Sequence, residues 1–202
     1  MKRFLLLIIF VISCSEPGPH ADNMKYIYKV TYTNSEFTDR LTLERSSVSG
    51  FVSTIVWDSE IRQDKGSSTG VSVESKSTNS NLSFELPQPL GEYLNLTNLL
   101  PAPRVEFPLS IGDSIYMSHR IDYKHSTYNG KSVEGYIKVS GKEFYSNQIV
   151  NDTCWVISSN LFSTTDTSAT YYYNTRLGFV YFEYLLGTDT IEVSLDSLTT
   201  SG

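Results

Sequence analysis

Hydrophobic and polar residues alternate with a period of two along most of this chain, and no other feature of the sequence restricts its fold as strongly. The first such run, residues 25–33, separates two kinds of side chain: Tyr26, Tyr28, Val30 and Tyr32 against Lys25, Lys29, Thr31 and Thr33. This alternation is typical of an antiparallel strand with one face in the core and one in water. We therefore expect β-sheet to organise the chain.

Further runs of the same kind predict strands throughout the chain. They cover residues 40–45, 51–57, 70–75, 114–123, 132–139, 143–150, 153–158, 169–174, 178–186 and 190–195. The 14 Tyr and 10 Phe residues agree with this interpretation, because aromatic side chains suit pleated, half-buried surfaces. The sequence predicts a single all-β domain over residues 25–198, with a tail at 199–202. Its fold is expected to be an antiparallel curved sheet, either a half-barrel or a small sandwich.

One stretch departs from strand character. Residues 86–103 carry prolines at both ends and several leucines between them. This composition permits at most a short helical segment near residues 91–100, packed against the sheet. The alternative is a long irregular loop that lays Leu99 and Leu100 over an open end of the sheet.

Three turns are predicted from local chemistry. Asn129-Gly130 favours a two-residue type I′ hairpin, because both central positions of that turn need positive φ, and it would pair residues 121–128 with 131–139. The glycine of Gly187-Thr188-Asp189 predicts the closing turn of the last hairpin. A tight turn at residues 175–177 would join strands 171–174 and 179–184, with Gly178 where the second strand begins.

The N-terminus reads as a targeting segment. Met1-Lys2-Arg3 is cationic, and the apolar run that follows ends at Ser13-Cys14. A membrane-spanning helix needs about 20 apolar residues, roughly twice what this run supplies. Residues 1–13 are therefore predicted to be a signal peptide, and residues 14–24 a lipidated N-terminus with a flexible tether rich in proline and polar residues.

The residues Val11-Ile12-Ser13-Cys14 resemble the lipobox of bacterial lipoproteins. The resemblance implies that Cys14 becomes the mature N-terminus and carries a thioether diacylglycerol, usually with an amide-linked third chain. Two or three chains hold a protein on a membrane far more firmly than one. Ser15 stands where an Asp would signal inner-membrane retention, which favours the outer membrane of a Gram-negative bacterium, on the periplasmic or the outer face. The alternative is an ordinary secretory signal that contains a cysteine by chance.

The charge and the cysteine content of the chain exclude some kinds of partner and of covalent cross-link. The net charge is −6, and without Lys2 and Arg3 the mature chain has 14 basic against 22 acidic residues, or −8. Such a chain offers no basic stripe for nucleic acid. Lipidation of Cys14 leaves Cys154 alone, so the mature chain has no internal disulfide. We expect Cys154 to be a small buried hydrophobic residue, with a reactive thiol as the alternative.

The sequence carries no recognisable catalytic or metal-binding motif. His20, His119 and His125 are too far apart for a known metal-ligand spacing, and no Gly-x-Ser-x-Gly elbow is present. We expect no catalytic residues, no metal and no cofactor. A Ser/His/Asp set that assembles only in space would leave no motif in the sequence, so a hydrolase is kept as the third hypothesis.

The C-terminal half, about residues 105–198, contains four motifs in a familiar order. They are Val139-Ser140-Gly141-Lys142-Glu143, Cys154-Trp155-Val156-Ile157, Tyr171-Tyr172-Tyr173-Asn174 and the segment from Leu177-Gly178 to Glu183-Tyr184, preceded by Phe107-Pro108-Leu109-Ser110-Ile111-Gly112. This order resembles DUF3108-like and TapB-like envelope proteins, relatives of the LolA and LolB half-barrels. The chain departs from their Pro-Ala-Gly-x-Phe turn at residues 147–152, which leaves the register of that hairpin open.

The resemblance implies a curved sheet that holds a lipid or acyl group in its concavity. The alternation pattern places Tyr171 and Tyr173 on one face. In the next strand it groups Phe179 with Tyr181, opposite Val180, Phe182 and Tyr184. The candidate ligand-facing residues are Tyr171, Tyr173, Phe179, Tyr181 and Phe182.

The sequence thus favours a non-enzymatic, lipid-anchored outer-membrane or periplasmic protein of the cell envelope. In this hypothesis its partners are the membrane, through the N-terminal lipid, and an apolar or lipid-like ligand. The alternative is a structural subunit that docks a partner protein through a flat apolar exterior.

Overall fold

The structure is a computed structural model of the chain. It describes residues 24–33, 38–49, 52–61, 66–69, 73–78, 81–85, 99–121, 129–163 and 165–200. Several predictions fall outside these ranges: the signal peptide, Cys14, the tether up to residue 23, His20, residues 91–98 of the possible helix, and His125.

The described residues form thirteen strands. They are β1 (Met24–Tyr32), β2 (Thr38–Ser49), β3 (Val52–Ile61), β4 (Gly66–Thr69), β5 (Val73–Thr78), β6 (Asn81–Glu85), β7 (Arg104–Glu106), β8 (Ser114–Arg120), β9 (Ser132–Ser146), β10 (Asn151–Leu161), β11 (Thr167–Asn174), β12 (Gly178–Leu186) and β13 (Asp189–Thr200). The predicted all-β fold is confirmed.

All strand pairings in the described ranges are antiparallel and follow one path. The order is β7-β6-β5-β3-β2-β1-β13-β12-β11-β10-β9-β8, with β4 beside β3. The pairing of β1 with β13 joins the two ends of the domain in the middle of this order, so the N-terminal strands continue the C-terminal meander as one sheet. The strands at the two ends of the path, β7 and β8, both line one cavity, so the sheet curves back on itself.

One face of the sheet, here called the inner face, carries the core. A row of paired residues crosses it from Val30 through Val193, Phe182 and Tyr171 to Ile157, and each of these side chains is at most 6% exposed. On the opposite, outer face, partly exposed Tyr, Glu, Ser and Lys side chains alternate with these residues. The predicted period-2 pattern therefore does sort the core from the surface.

The turns at the C-terminal end agree with the sequence. Leu186 pairs with Asp189 across a two-residue connection, and Gly187 has a φ of +69°. β11 and β12 are neighbours joined at residues 175–177, and Gly178 has a φ of +80°. Both glycines adopt the left-handed conformation that disfavours residues with a Cβ atom.

The predicted two-residue hairpin at Asn129-Gly130 is wrong. Arg120 pairs with Ser132, and the amide of Ile121 donates to the carbonyl of Lys131 at 2.9 Å, so the connection spans residues 122–130. The observed register places Ile115 and Met117 opposite inner-face positions of β9. In the predicted register polar residues such as Asp122 and Lys124 would occupy those places, and burial of these groups opposes it.

The strands predicted at 132–139 and 143–150 belong to one strand, β9, which ends at Ser146; the prediction for 147–150 is wrong, because these residues form the turn that follows. Its register against β10 shifts where Ile157 pairs with Val139 and Val156 with Gly141, so Ser140 is the extra residue of a bulge. The β9–β10 hairpin turns at residues 147–150, where the amide of Asn147 donates to the carbonyl of Val150 at 2.7 Å. This contact fixes the hairpin register that the sequence left open.

Residues 99–107 lie against the inner face. Leu100 and Val105 are each 1% exposed, and the Phe107 ring lies 5.7 Å from that of Tyr173. The carbonyl of Pro101 accepts hydrogen bonds from Tyr171 Oη and Ser159 Oγ, both at 3.2 Å. Leu99 and Leu100 form part of a turn there, as expected for a segment that covers the sheet.

Candidate functional site

Four of the five predicted ligand-facing aromatics lie together on the inner face. Tyr171, Tyr173 and Phe179 are 0% exposed and Phe182 is 6% exposed. Their rings meet mainly edge to face, with centroids 5.2 Å apart for Tyr173–Phe179 and 5.8 Å for Tyr171–Phe182. Tyr28 joins them from β1, and its hydroxyl donates to the carbonyl of Phe179 at 2.8 Å. These rings form the aromatic centre of the core.

The contacts of these four residues come from the chain itself. Phe107 packs on Tyr173, and the Tyr171 hydroxyl is bonded to Pro101, so residues 99–107 occupy the space that faces them. Complete burial raises the pKa of the Tyr171 phenol well above its ordinary value, so the hydroxyl stays protonated and donates. Contact of these residues with a ligand stays a prediction.

Tyr181 lies on the outer face, apart from the other four. It forms a half-buried group with Tyr145 and Tyr172, whose three ring centroids are 5.4–5.6 Å apart. Tyr172 Oη donates to Glu143 Oε2 at 2.9 Å. Burial, followed by the hydrogen bond to Glu143, raises the pKa of Tyr172 to about 12. These phenols are neutral at physiological pH and tie neighbouring strands together through ring contacts and carboxylates.

A cavity of about 270 Å³ lies where the two ends of the sheet path meet, between β7 and β8, and we call it the seam cavity. Its lining residues come from β7, the following loop, the start of β8 and the middle of β9: Arg104, Val105, Glu106, Phe107, Pro108, Leu109, Asp113, Ser114, Ile115, Ile137 and Val139. Val105, Ile137 and Val139 supply a buried apolar floor.

The rim of the seam cavity is charged. Arg104 Nη2 lies 2.7 Å from Glu106 Oε1, and both side chains are partly exposed, at 30% and 40%. Asp113 Oδ2 accepts the amide of Ser110 at 2.8 Å, which fixes the loop between β7 and β8. An apolar floor under an ionic rim suits a small amphiphilic molecule whose polar end stays at the surface.

The sequence did not identify the seam cavity. Its only local signal is the charged–apolar–charged triplet Arg104-Val105-Glu106 between prolines, which is too short to predict a strand. The remaining lining depends on β7 coming near β8 and β9, a long-range arrangement that alternation does not specify.

A second groove, of about 430 Å³, lies at β1, β2 and β13. Most of its lining is polar or charged, including Lys29, Asp39, Arg40 and Asp196. Lys29 and Arg40 are directly paired across β1 and β2. Its apolar lining is limited to the buried Ile27 and Tyr28, so polar and charged side chains dominate this groove.

Cys154 is buried, as predicted, with 0% exposure. Burial raises the pKa of its thiol to about 11, so the reactive thiolate is scarce at neutral pH. The neighbouring Asn174 has a structural role: its Nδ2 donates to Asp152 Oδ2 at 3.1 Å, and its Oδ1 accepts the amides of Arg176 and Leu177. Asn174 therefore fixes the β11–β12 turn.

His119 lies half-buried on β8. Within residues 24–200, as far as the structure describes them, no three His, Cys, Asp or Glu side chains converge as metal ligands do. Among the same residues there is no helix with the length and apolar character needed to cross a bilayer.

No protein-family model matches the chain, and no curated protein matches it. Among solved structures, it resembles a protein of Bacteroides fragilis described as an exported protein with a YmcC-like fold, with a TM-score of 0.52 and 10% identity over 91% of this chain and 98% of that one. A lipoprotein from Parabacteroides distasonis and a β-barrel-like DUF1849 protein from Brucella abortus each give a TM-score of 0.48 at 10% identity, over 90% of this chain and 97% and 98% of theirs. At this identity the likeness to the Bacteroides protein establishes a shared fold alone.

Proposed function

We propose that this chain is a lipid-anchored protein of the bacterial cell envelope, and that its β domain binds a small amphiphilic ligand without catalysing a reaction. The lipobox-like residues Val11–Cys14 support the anchor, and Ser15 favours the outer membrane. The fold shared with a protein described as exported agrees with an envelope location. The seam cavity is the observation that carries the binding function.

The seam cavity suits one end of an amphiphile. Its volume of about 270 Å³ is slightly below the roughly 300–1,000 Å³ of sites that enclose drug-sized ligands. We infer that it holds the apolar part of a small molecule, or the end of a longer acyl chain, on the floor formed by Ile137 and Val139. The polar part would meet Arg104 and Glu106 at the rim.

Two substitutions on the same face of β8 test this proposal. Ile115 lines the seam cavity, whereas Met117, two residues further along, does not, and both are half-buried. Ile115→Trp should fill the cavity and weaken the binding of a fluorescent fatty-acid probe about tenfold or more, since it excludes the apolar group. Met117→Trp should leave the affinity near that of the unsubstituted protein. Equal affinities in all three proteins, or no probe binding to any, would exclude the seam cavity as the site.

A second candidate function is docking of a partner protein through the outer face of β8 to β10. Tyr116 and Phe162 are 59% and 61% exposed and stack with centroids 6.0 Å apart, and Tyr136 lies 5.7 Å from Phe162. β8 ends the strand order among the described strands, so an extended partner segment could add to it as a further strand beside these rings. A photo-cross-linker at position 162 should then capture a partner, and one at the exposed Leu185 should not.

A further inference from the structure

One end of the sheet combines exposed apolar side chains with the start of the chain's tether. β1 begins at Met24, which pairs with Thr200 at the end of β13. The antiparallel pairings place three other segments at the same end of the sheet as Met24. They are the turns at 147–150 and 175–177 and the loop at 107–113. We call this side of the domain the tether end.

Four residues at the tether end form what we call the docking rim: Ile111, Lys142, Phe144 and Trp155. Ile111 and Phe144 are each 65% exposed, the highest value among the large apolar residues of the described ranges. Lys142 Nζ lies 3.9 Å from the centroid of the half-buried Trp155 ring. Lys142 pairs with Trp155, and Phe144 pairs with Thr153, so all three rim residues of the β9–β10 hairpin share one face.

This combination of groups is that of a membrane interface. Aromatic rings favour the boundary between headgroups and acyl chains, and a lysine near them can keep its ammonium in the polar layer while its stem and neighbours lie deeper. In water, Ile111 and Phe144 bury little of their apolar surface at these positions, so they add little to the stability of the domain.

The tether restricts what can cover the docking rim. Nine residues separate Cys14 from Met24. Even fully extended, the ten steps between them reach only about 35 Å, and a flexible chain of this length averages roughly half of that. A lipid on Cys14 therefore keeps Met24 within about 35 Å of the bilayer, so a weak apolar contact between the tether end and lipid becomes an intramolecular event with a high effective concentration.

We propose that the docking rim rests on the lipid surface that carries the chain's own anchor, with Ile111, Phe144 and Trp155 in the interfacial layer. The proposal rests on the lipid anchor of the proposed function. The net charge of −8 on the mature chain does not favour attraction to anionic lipids, so the contact is apolar and insensitive to salt. It also fixes the orientation of the seam cavity, whose 107–113 loop lies at the same end.

Quenching of Trp155 by brominated lipid tests the contact. The chain has two tryptophans, so Trp57→Phe leaves Trp155 as the single reporter. The mature protein with this substitution is reconstituted into vesicles of dioleoylphosphatidylcholine with or without acyl-brominated phosphatidylcholine. We expect brominated lipid to lower the Trp155 emission about two-fold, at low and at high salt, because an interfacial ring lies within the reach of the upper acyl chain.

Exposed residues at the two ends of the domain supply matched variants. Replacing both rim residues, Ile111→Ser with Phe144→Ser, should abolish most of the quenching, whereas Phe162→Ser, at an equally exposed aromatic toward the opposite end, should leave it unchanged. Flotation of the same vesicles measures the anchor separately. Protein that floats without quenching of Trp155, or with quenching that the double variant retains, overturns the docking rim and leaves the anchor standing. Protein that does not float overturns the anchor, and the docking rim with it.

Discussion

Phe179 and Phe182 lie on the same face of the sheet with ring centroids 5.6 Å apart, although they are an odd number of positions, three, apart along β12. Strict alternation would place them on opposite faces, as the sequence predicted. A register shift resolves the difference: Tyr181 pairs with Tyr172, whereas Phe179 pairs with the next residue, Tyr173, so Val180 is an extra residue. The predicted grouping of Phe179 with Tyr181 is therefore wrong.

Because both rings are buried in the core, we expect alanine substitutions at the two positions to destabilise the protein by similar amounts. Phe179→Ala and Phe182→Ala should each lower the free energy of unfolding by about 3–5 kcal/mol, since each removes a buried ring from a packed core. Urea denaturation followed by circular dichroism measures the loss. Phe144→Ala, at 65% exposure, is the control and should change stability little. A folded Phe179→Asp variant that had lost only ligand binding would contradict this core role and support the predicted ligand-facing one.

Substitution of Gly135 should also destabilise the core, because this glycine lies very close to a neighbouring strand. A Cβ atom at this position of β9 would overlap the carbonyl of Asn160 on β10 and lie 3.2 Å from Pro101 Cγ. Gly135→Ala should therefore cost about 1–3 kcal/mol or more, because the backbone of β10 and the ring of Pro101 must both move. Gly141→Ala on the same strand meets nothing within 4 Å and should be tolerated. Equal melting temperatures for the two variants would contradict the close approach of residue 101 to β9 and β10.

The sequence predicted the fold where local chemistry decides it. Alternation located most strands of the C-terminal half, and Gly187 and Gly178 marked their turns because positive φ is a local requirement. The short strands β4 and β6 escaped prediction, since β4 contains no apolar residue and β6 contains only two, Leu82 and Phe84, beside a Ser-rich stretch.

Features that depend on a neighbouring strand could not be predicted in this way. The bulges at Ser140 and Val180 are defined by register against β10 and β11, and a single strand's sequence does not contain that register. The structure brings four of the five candidate site residues together, whereas alternation had assigned Phe179 and Phe182 to opposite faces, so the sequence did not predict this group. Nor did it predict their environment, because the covering segment 99–107 reaches them from about 70 residues away.

The thiol of Cys154 should resist alkylation in the native protein. Burial raises its pKa to about 11, so at pH 8 only about one thiol in a thousand is ionised, and its side chain is also out of reach of the reagent. Iodoacetamide labelling followed by mass spectrometry should be slow when the protein is folded and fast in urea. Rapid labelling of the folded protein would instead support the hypothesis that Cys154 is a reactive thiol.

Alkaline pH should destabilise the domain through its tyrosines. The pKa of Tyr172 is raised to about 12, so between the ordinary value of 10 and this value the folded state keeps a proton that the unfolded state releases. The free energy of unfolding is therefore fully retained below pH 10 and falls as the pH rises toward 12. Tyr172→Phe should make the free energy of unfolding less dependent on pH between 10 and 12, by an amount that corresponds to at most one proton. Urea denaturation at several pH values in this range measures the change. An unchanged slope would mean that Tyr172 titrates normally.

Lipidation of Cys14 makes the most direct prediction about the whole chain. The chain has two cysteines, so a palmitate label must go to Cys14 if it enters as a thioether diacylglycerol, because Cys154 is buried in the folded domain. In a bacterial host, the unsubstituted protein and Cys154→Ala should both incorporate radioactive palmitate. Cys14→Ser should incorporate none.

The fate of the unlabelled protein separates the two hypotheses for the N-terminus. Without the acceptor thiol, Cys14→Ser should accumulate as an unprocessed precursor, still held on the membrane by the apolar run that ends at Ile12. Mass spectrometry of its N-terminus would detect the intact signal peptide. Cleavage at another position, with release of soluble protein from both the unsubstituted and the Cys14→Ser chains, would instead identify residues 1–13 as part of an ordinary secretory signal. That result would remove the basis of the lipid anchor.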